Sequence, residues 1–169
     1  MYGQFMLTKD GPRVIEFNAR FGDPEAMNVL SLLTSDFSRI CGKMASGGIS
    51  RKDAGFAKKA SVCKYVVPEG YGTKSLAGEE IRVNEKAIAS EGAILYYANV
   101  NEKDGEVFTT TSRSVGVVGL AESIEEAERI AENGIKHVSG RIHVRHDIAK
   151  KHMLDAKVAR MEAIRSGRR

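Results

Sequence analysis

Three polar residues near the start of the chain, Glu16, Asn18 and Arg20, alternate through Val14-Ile15-Glu16-Phe17-Asn18-Ala19-Arg20. Side chains of an extended strand point to opposite faces in turn. A strand here therefore puts Glu16 and Asn18 on one face and Ile15 and Phe17 on the other. If the strand runs on, Arg20 joins the polar face. That face offers a carboxylate, an amide oxygen and a guanidinium within about 14 Å, at 3.3–3.4 Å per residue. Carboxylate and carbonyl oxygens are the hard ligands that Mg²⁺ prefers, one or two of them with water and substrate phosphates filling the shell. An arginine beside them holds phosphate in bidentate fashion. Gly22 lets backbone approach a ligand closely. Asp23-Pro24 reads as a helix N-cap followed by the first helical residue, whose free N–H groups favour an anion. Glu-x-Asn alone fits the wet face of an edge strand better. The Arg20-Phe21-Gly22-Asp23-Pro24-Glu25 that follows it makes chemistry the stronger reading.

The elements that must position these groups follow from turn signals and periodicity. Gly3–Thr8 and Arg13–Asn18 form a hairpin around Lys9-Asp10-Gly11-Pro12, since Asp-Gly supplies positive φ without steric cost. A helix runs from Pro24 to about Leu33. Thr34-Ser35-Asp36 restarts a helix to about Ala45, with Phe37, Ile40, Cys41 and Met44 at helical spacing. Ser46-Gly47-Gly48 ends it, and the polar stretch 49–59 reads as a linker. From Ala60 the period becomes that of strands: Ala60–Val67, Ile81–Val83, Ala93–Asn99, Glu106–Thr111 and Ser114–Ala121. Ala93–Asn99 and Glu106–Thr111 are expected to neighbour each other across the Asp104-Gly105 turn. Gly116 and Gly119 sit inside a strand pattern, where packing explains them better than phosphate binding. Ser123-Ile124-Glu125-Glu126 reads as a capping box opening a helix to about Val138. A last helix spans about Asp147 to Ile164. The expected class is α+β: the hairpin-plus-helices edge of a larger fold (1–48), the linker (49–59), and a small antiparallel sheet with packed helices (60–169).

Composition excludes several classes. Of the 169 residues 42% are apolar and 28% charged, a globular balance that rules out global disorder. No run approaches the roughly 18 apolar residues of a membrane span. Met1–Lys9 lacks the basic and apolar regions of a secretory signal. Cys41 and Cys63 form no CxxC or CxxH pair; both are expected to be small core residues in a reduced, cytoplasmic setting. The four histidines crowd the C-terminal third without metal-binding spacing. The net charge of +4 gathers at the end, with eight Lys/Arg against three Asp/Glu from Arg145 to Arg169. That segment holds no Phe, Tyr or Trp to stack on bases, so a nucleic-acid partner is disfavoured and a solvated helix face expected.

Val14-Ile15-Glu16-Phe17-Asn18-Ala19-Arg20-Phe21-Gly22-Asp23-Pro24-Glu25-Ala26-Met27-Asn28-Val29-Leu30 resembles the metal-binding segment of the phosphoribosylamine–glycine ligase family, in the ATP-grasp superfamily. Lys59-Ala60-Ser61-Val62-Cys63, Asp104-Gly105-Glu106-Val107, Ser112–Leu120 and Arg145-His146-Asp147-Ile148 resemble that family's C-terminal part, so the likeness covers nearly the whole chain. It implies ATP-dependent joining of glycine to 5-phosphoribosylamine through a glycyl phosphate, in purine biosynthesis. It also implies that Glu16 and Asn18 hold Mg²⁺ or Mn²⁺ on the ATP phosphates. Arg20 would be catalytic, and Arg20, Gly22, Asp23 and Pro24 would line the phosphate and substrate pocket. Gln4, twelve residues before Glu16, stands where many ATP-grasp enzymes carry a further carboxylate ligand. Pro68-Glu69-Gly70-Tyr71-Gly72 stands where the family often reads Gly-Gly-Tyr-Pro. The family's enzymes are much longer, and their amino-terminal parts have no counterpart here. The expectation is a carboxy-terminal fragment, inactive alone, completed by the missing part in cis or in trans. Two other readings stay open: a non-catalytic module binding a partner chain or nucleic acid, and part of another ATP-grasp carboxylate–amine ligase.

Overall fold

The computed structural model describes residues 1–167; Arg168 and Arg169 of the basic C-terminal segment lie outside the described residues. The chain opens with a two-stranded antiparallel hairpin, β1 (Tyr2–Thr8) and β2 (Gly11–Asn18), followed by α1 (Glu25–Leu30) and α2 (Phe37–Ala45). The turn is tighter than expected. Thr8 pairs with Gly11 and Leu7 with Pro12, so Gly11 and Pro12 belong to β2. Proline is tolerated there because a two-stranded ribbon has only edge strands. The helix restarts after Thr34-Ser35-Asp36 as expected, and Asp36 is its cap, the side chain accepting from the Arg39 N–H at 2.8 Å. Residues 49–59 contain a 3₁₀ turn, Arg51–Asp53, and Phe56, which bridges to Leu33.

Beyond Ala60 the chain builds two four-stranded antiparallel sheets. The first has order β10–β3–β8–β5, from β3 (Ala60–Pro68), β5 (Ile94–Tyr97), β8 (Val115–Ala121) and β10 (Ile142–Val144). The second has order β6–β7–β4–β9, from β4 (Glu80–Val83), β6 (Val100–Lys103), β7 (Glu106–Thr109) and β9 (Val138–Gly140). The Asp104-Gly105 hairpin joins β6 to β7, with φ of 54° and 83° at its two central residues, as a twisted two-residue turn requires. The expected partner of β7, the Ala93–Asn99 segment, instead supplies β5 to the other sheet. The three-residue β9 and β10 and the six-residue helix α3 (Glu85–Ser90) are too short to show a period in the sequence.

Helix α4 (Ile124–Ile135) starts at Ser123, whose hydroxyl accepts from the Glu126 N–H at 3.2 Å. The reciprocal half of the expected capping box is not made. The Glu126 carboxylate turns to Arg129, at 3.0 and 2.6 Å, because an ionic partner one turn on outcompetes a neutral amide. The helix ends at Ile135, and Val138 belongs to β9. The last helix, α5 (Lys151–Arg165), begins later than expected, after Ile148, and buries none of its residues.

The core lies between the two sheets, α3 and α4. Val66, Ile88, Val115 and Val117 are fully buried within it, each contributing about 1.5–3 kcal/mol by removal from water. Strand β8 is buried on both faces, α4 covering one and α1 the other. Its glycines serve that packing, as the sequence predicts. A Cβ on Gly119 would strike the Ala127 carbonyl of α4, and one on Gly116 would meet Met27 Sδ of α1. Cys63 packs here as a core residue, its Sγ 3.8 Å from Met27 Sδ and its thiol pushed up to about 12 by burial. Cys41, expected in the core, is exposed on α2.

One buried charge anchors the other side of this sheet. Lys64 is fully buried, its Nζ donating to Glu128 at 2.6 Å, to Glu132 and to the His146 carbonyl at 2.9 Å. Lys150 and His146 complete the network at 2.8 and 2.7 Å from Glu128 and Glu132. It ties the segment leading into α5 to α4 and β3. No helix among the described residues is long and apolar enough to cross a membrane.

Candidate active site cleft

The register of the hairpin decides which side chains meet. Tyr2 pairs with Asn18 and Gln4 with Glu16, so these four share one face. The shift between Gln4 and Phe5 leaves Ile15 as a bulge. The opposite face carries Phe5 and Phe17, edge to face at 5.8 Å, close over Gly3. Glu16 and Asn18 project together: Asn18 Nδ2 donates to Glu16 Oε1 at 2.9 Å, and both are solvent-accessible. This bond uses the amide nitrogen of Asn18 and one oxygen of Glu16; the amide oxygen of Asn18 and the second carboxylate oxygen of Glu16 take no part in it.

Glu16 opens onto a cleft of about 520 Å³, whose hairpin wall also includes Tyr2 and Gln4. Arg20, Gly22, Asp23, Pro24 and Glu25 form the adjoining wall. Asn18 borders the cleft only through Glu16. Arg20 donates to the Phe21 carbonyl at 2.8 Å. At Gly22 the volume of a side chain is taken by the Glu25 carboxylate, which accepts from Tyr2 Oη at 2.9 Å. That hydrogen bond raises the Tyr2 phenol above its ordinary value.

Asp23 does not cap α1, contrary to expectation. Pro24 occupies the N-cap without a side-chain bond, and the helix starts at Glu25. The Asp23 carboxylate is drawn instead to the sheet. It accepts from Tyr65 Oη at 2.6 Å and lies 3.1 Å from Arg113 Nη1, which also donates to the Asp23 carbonyl at 2.6 Å. Burial and the Asp23 carboxylate push the Tyr65 phenol up. Burial works against the charge on Arg113, but Tyr71 and Asp23 hold its guanidinium above the ordinary value.

The third wall was not foreseen as part of a site. Tyr71, Ser112 and Arg113 line the cleft from the C-terminal unit, and Arg113 Nε lies 3.3 Å from Tyr71 Oη. The loop Pro68–Gly72 and the stretch Ser112–Leu120 stood out in the sequence, yet nothing local assigns them to the Glu16 cleft. Arg113 and Asp23 are 90 positions apart.

Three carboxylates (Glu16, Asp23, Glu25) and two guanidiniums (Arg20, Arg113) thus face one open cleft. Among the described residues no three His, Cys, Asp or Glu side chains form a closed metal cage. By donor chemistry, the carboxylate of Glu16 and the amide oxygens of Asn18 and of Gln4, which pairs with Glu16 across the hairpin, suit a hard cation that takes its remaining ligands from water and phosphate.

The model of the phosphoribosylglycinamide synthetase C domain matches residues 61–151, and that of the same synthetase's ATP-grasp (A) domain matches residues 1–26. The chain is 51% identical over 165 residues to the phosphoribosylamine–glycine ligase of Methanocaldococcus jannaschii, covering 98% of this chain and 37% of that protein. It is 48% identical over 166 residues to that of Methanothermobacter thermautotrophicus, covering 98% and 38%. The crystal structure of phosphoribosylamine–glycine ligase from Thermotoga maritima superposes with a TM-score of 0.69 at 27% identity, over 85% of this chain and 35% of that one. The chain thus spans little more than a third of the length of the relatives it matches. By sequence along its length and by fold, it belongs to the phosphoribosylglycinamide synthetase family.

Proposed function

We propose that this chain is the carboxy-terminal part of a phosphoribosylamine–glycine ligase, which joins glycine to 5-phosphoribosylamine at the expense of ATP in purine biosynthesis. The observation that carries the reading is the Glu16–Asn18 pair, bonded at 2.9 Å on the polar face of the hairpin, with Glu16 opening onto a cleft that Arg20 also lines. In the complete enzyme the glycine carboxylate attacks the γ-phosphorus of ATP, giving glycyl phosphate and ADP. The amine of phosphoribosylamine then attacks the glycyl carbonyl, and phosphate leaves. Glu16 and Asn18 would hold Mg²⁺ or Mn²⁺, which would supply positive charge against the ATP phosphates. Arg20 stabilises charge on the transferring phosphoryl group. The Gly22-Asp23-Pro24 turn shapes the pocket in which the reactants meet, and positioning of this kind supplies most of the catalysis in phosphoryl transfer.

The cleft is completed by polypeptide outside these 169 residues, in cis or in trans. The apolar face of the hairpin supports this: Phe5, Ile15 and Phe17 are half exposed, and contiguous apolar surface of this sort marks a region another polypeptide covers. A cytoplasmic setting fits the two free cysteines. In a full-length ligase carrying this segment, Glu16→Ala should abolish metal-dependent ADP formation that requires both glycine and phosphoribosylamine. Unchanged kinetics would remove Glu16 as a ligand. The 169-residue chain alone should form no ADP; steady, substrate-dependent turnover by it would show that the cleft is already complete.

A further inference from the structure

We propose that Arg113 is a positioning residue, which fixes the Asp23 turn to the C-terminal sheet and thereby sets the pocket wall formed by Arg20, Gly22 and Pro24. This rests on the reading that the turn lines the substrate pocket. The backbone around Arg113 is itself held: its carbonyl accepts from the Asn99 N–H at 3.0 Å, and the next amide, Ser114, donates to the Val66 carbonyl at 3.0 Å. From that fixed point the guanidinium reaches the Asp23 carbonyl at 2.6 Å and the Asp23 carboxylate at 3.1 Å. It lies 5.3 Å from the centre of the Tyr65 ring, whose hydroxyl takes the other carboxylate oxygen at 2.6 Å. Asp23 is therefore gripped at its carbonyl and at both carboxylate oxygens by residues of the sheet. Nη1 makes both Asp23 contacts while Nε lies 3.3 Å from Tyr71 Oη and the guanidinium sits over the Tyr65 ring, a spread of donors that the point charge of a lysine does not reproduce. The Gly22 and Pro24 carbonyls, on either side of Asp23, accept from the Ala26 and Met27 N–H groups, both at 2.9 Å, and so begin α1. The metal pair stands apart from this clamp, since Glu16 is placed by the pairing of β2 with β1.

Two measurements test the proposal. In the 169-residue chain, Arg113→Ala should speed hydrogen exchange at the Ala26 and Met27 amides by about tenfold or more while β1–β2 amides stay unchanged. Arg113→Lys should restore only part of the protection, and Tyr65→Phe, which removes one hydroxyl, should give a smaller effect in the same place. Unaltered exchange at those amides, or acceleration spread evenly over the chain, would overturn the clamp. In a full-length ligase carrying this segment, Arg113→Ala should raise the KM of glycine or phosphoribosylamine by about tenfold and leave the Mg²⁺ dependence unchanged. A clamp seen by exchange with no change in either KM would refute positioning of substrate. Absence of any ligase activity in the unsubstituted enzyme would sink the functional reading instead, with the exchange result standing by itself.

Discussion

Residues 1–45 and residues 60–144 obey different rules. In the first region only Gly22 and Ile40 are buried, and the hairpin exposes aromatic and aliphatic side chains on one face and polar ones on the other. In the second, two sheets and two helices enclose a continuous core, and even a lysine is removed from water. The Glu16–Asn18 pair stands on the part with almost no core, and the residues that grip the neighbouring turn stand on the part that has one. A unit with a core of its own can thereby order a turn that has none. The cost is that the two regions must be joined by a few specific polar contacts.

The contrast predicts where substitutions hurt. The largest effect is expected at Lys64. Lys64→Ala leaves Glu128 and Glu132 without their buried cation and should destabilise the chain by about 3–5 kcal/mol, read from urea unfolding. A loss below about 1 kcal/mol would mean that Lys150 and His146 already satisfy the two carboxylates. Gly119→Ala, which forces a methyl group into the α4 backbone, should cost about 1–3 kcal/mol in the same assay. Acid offers a graded test. Burial opposes ionisation of Glu128 and Glu132, but bonds from Lys150 and Lys64 to the first, and from Lys64 and His146 to the second, hold both below the ordinary 4.5. Their stabilisation is therefore complete above that value and is lost as pH falls through the lowered ones. Melting temperature should drop on acidification in that range, and Glu128→Gln with Glu132→Gln should flatten the drop. The smallest effect is expected in the hairpin. Ile15→Thr, at a half-exposed bulge, should shift unfolding by no more than about 0.5 kcal/mol. A larger loss there would show that the hairpin is more cohesive than its exposure indicates.

Much of this was legible because the signals are local. The alternation of Glu16, Phe17 and Asn18 is a property of three residues, and the hairpin register keeps it. Strands β3 and β8 and helix α4 announce themselves through runs of apolar residues and a capping serine. Several of the misreadings share one physical cause: a local preference lost to a stronger partner, usually one far along the chain. Asp23 has the form of an N-cap, but Tyr65 and Arg113 offer it a hydroxyl and a cation that no cap can match. The Glu126 half of a capping box yields to Arg129. Segment 93–99 pairs with β8 because Ile94 and Tyr96 find Val118 and Gly116 across the first sheet, a choice invisible in its own residues. Arg113, Tyr65 and Tyr71 went unassigned to the cleft for the same reason, since only the fold brings them there.

The sulfur atoms carry a practical consequence. Cys63, on β3, is only 7% exposed and packs against Met27 of α1, and its thiol, pushed up to about 12, stays protonated and unreactive at neutral pH, whereas Cys41 faces solvent on α2. A maleimide dye or nitroxide therefore attaches to the native chain at a single place. It would report on the helices beside the hairpin without any engineered cysteine.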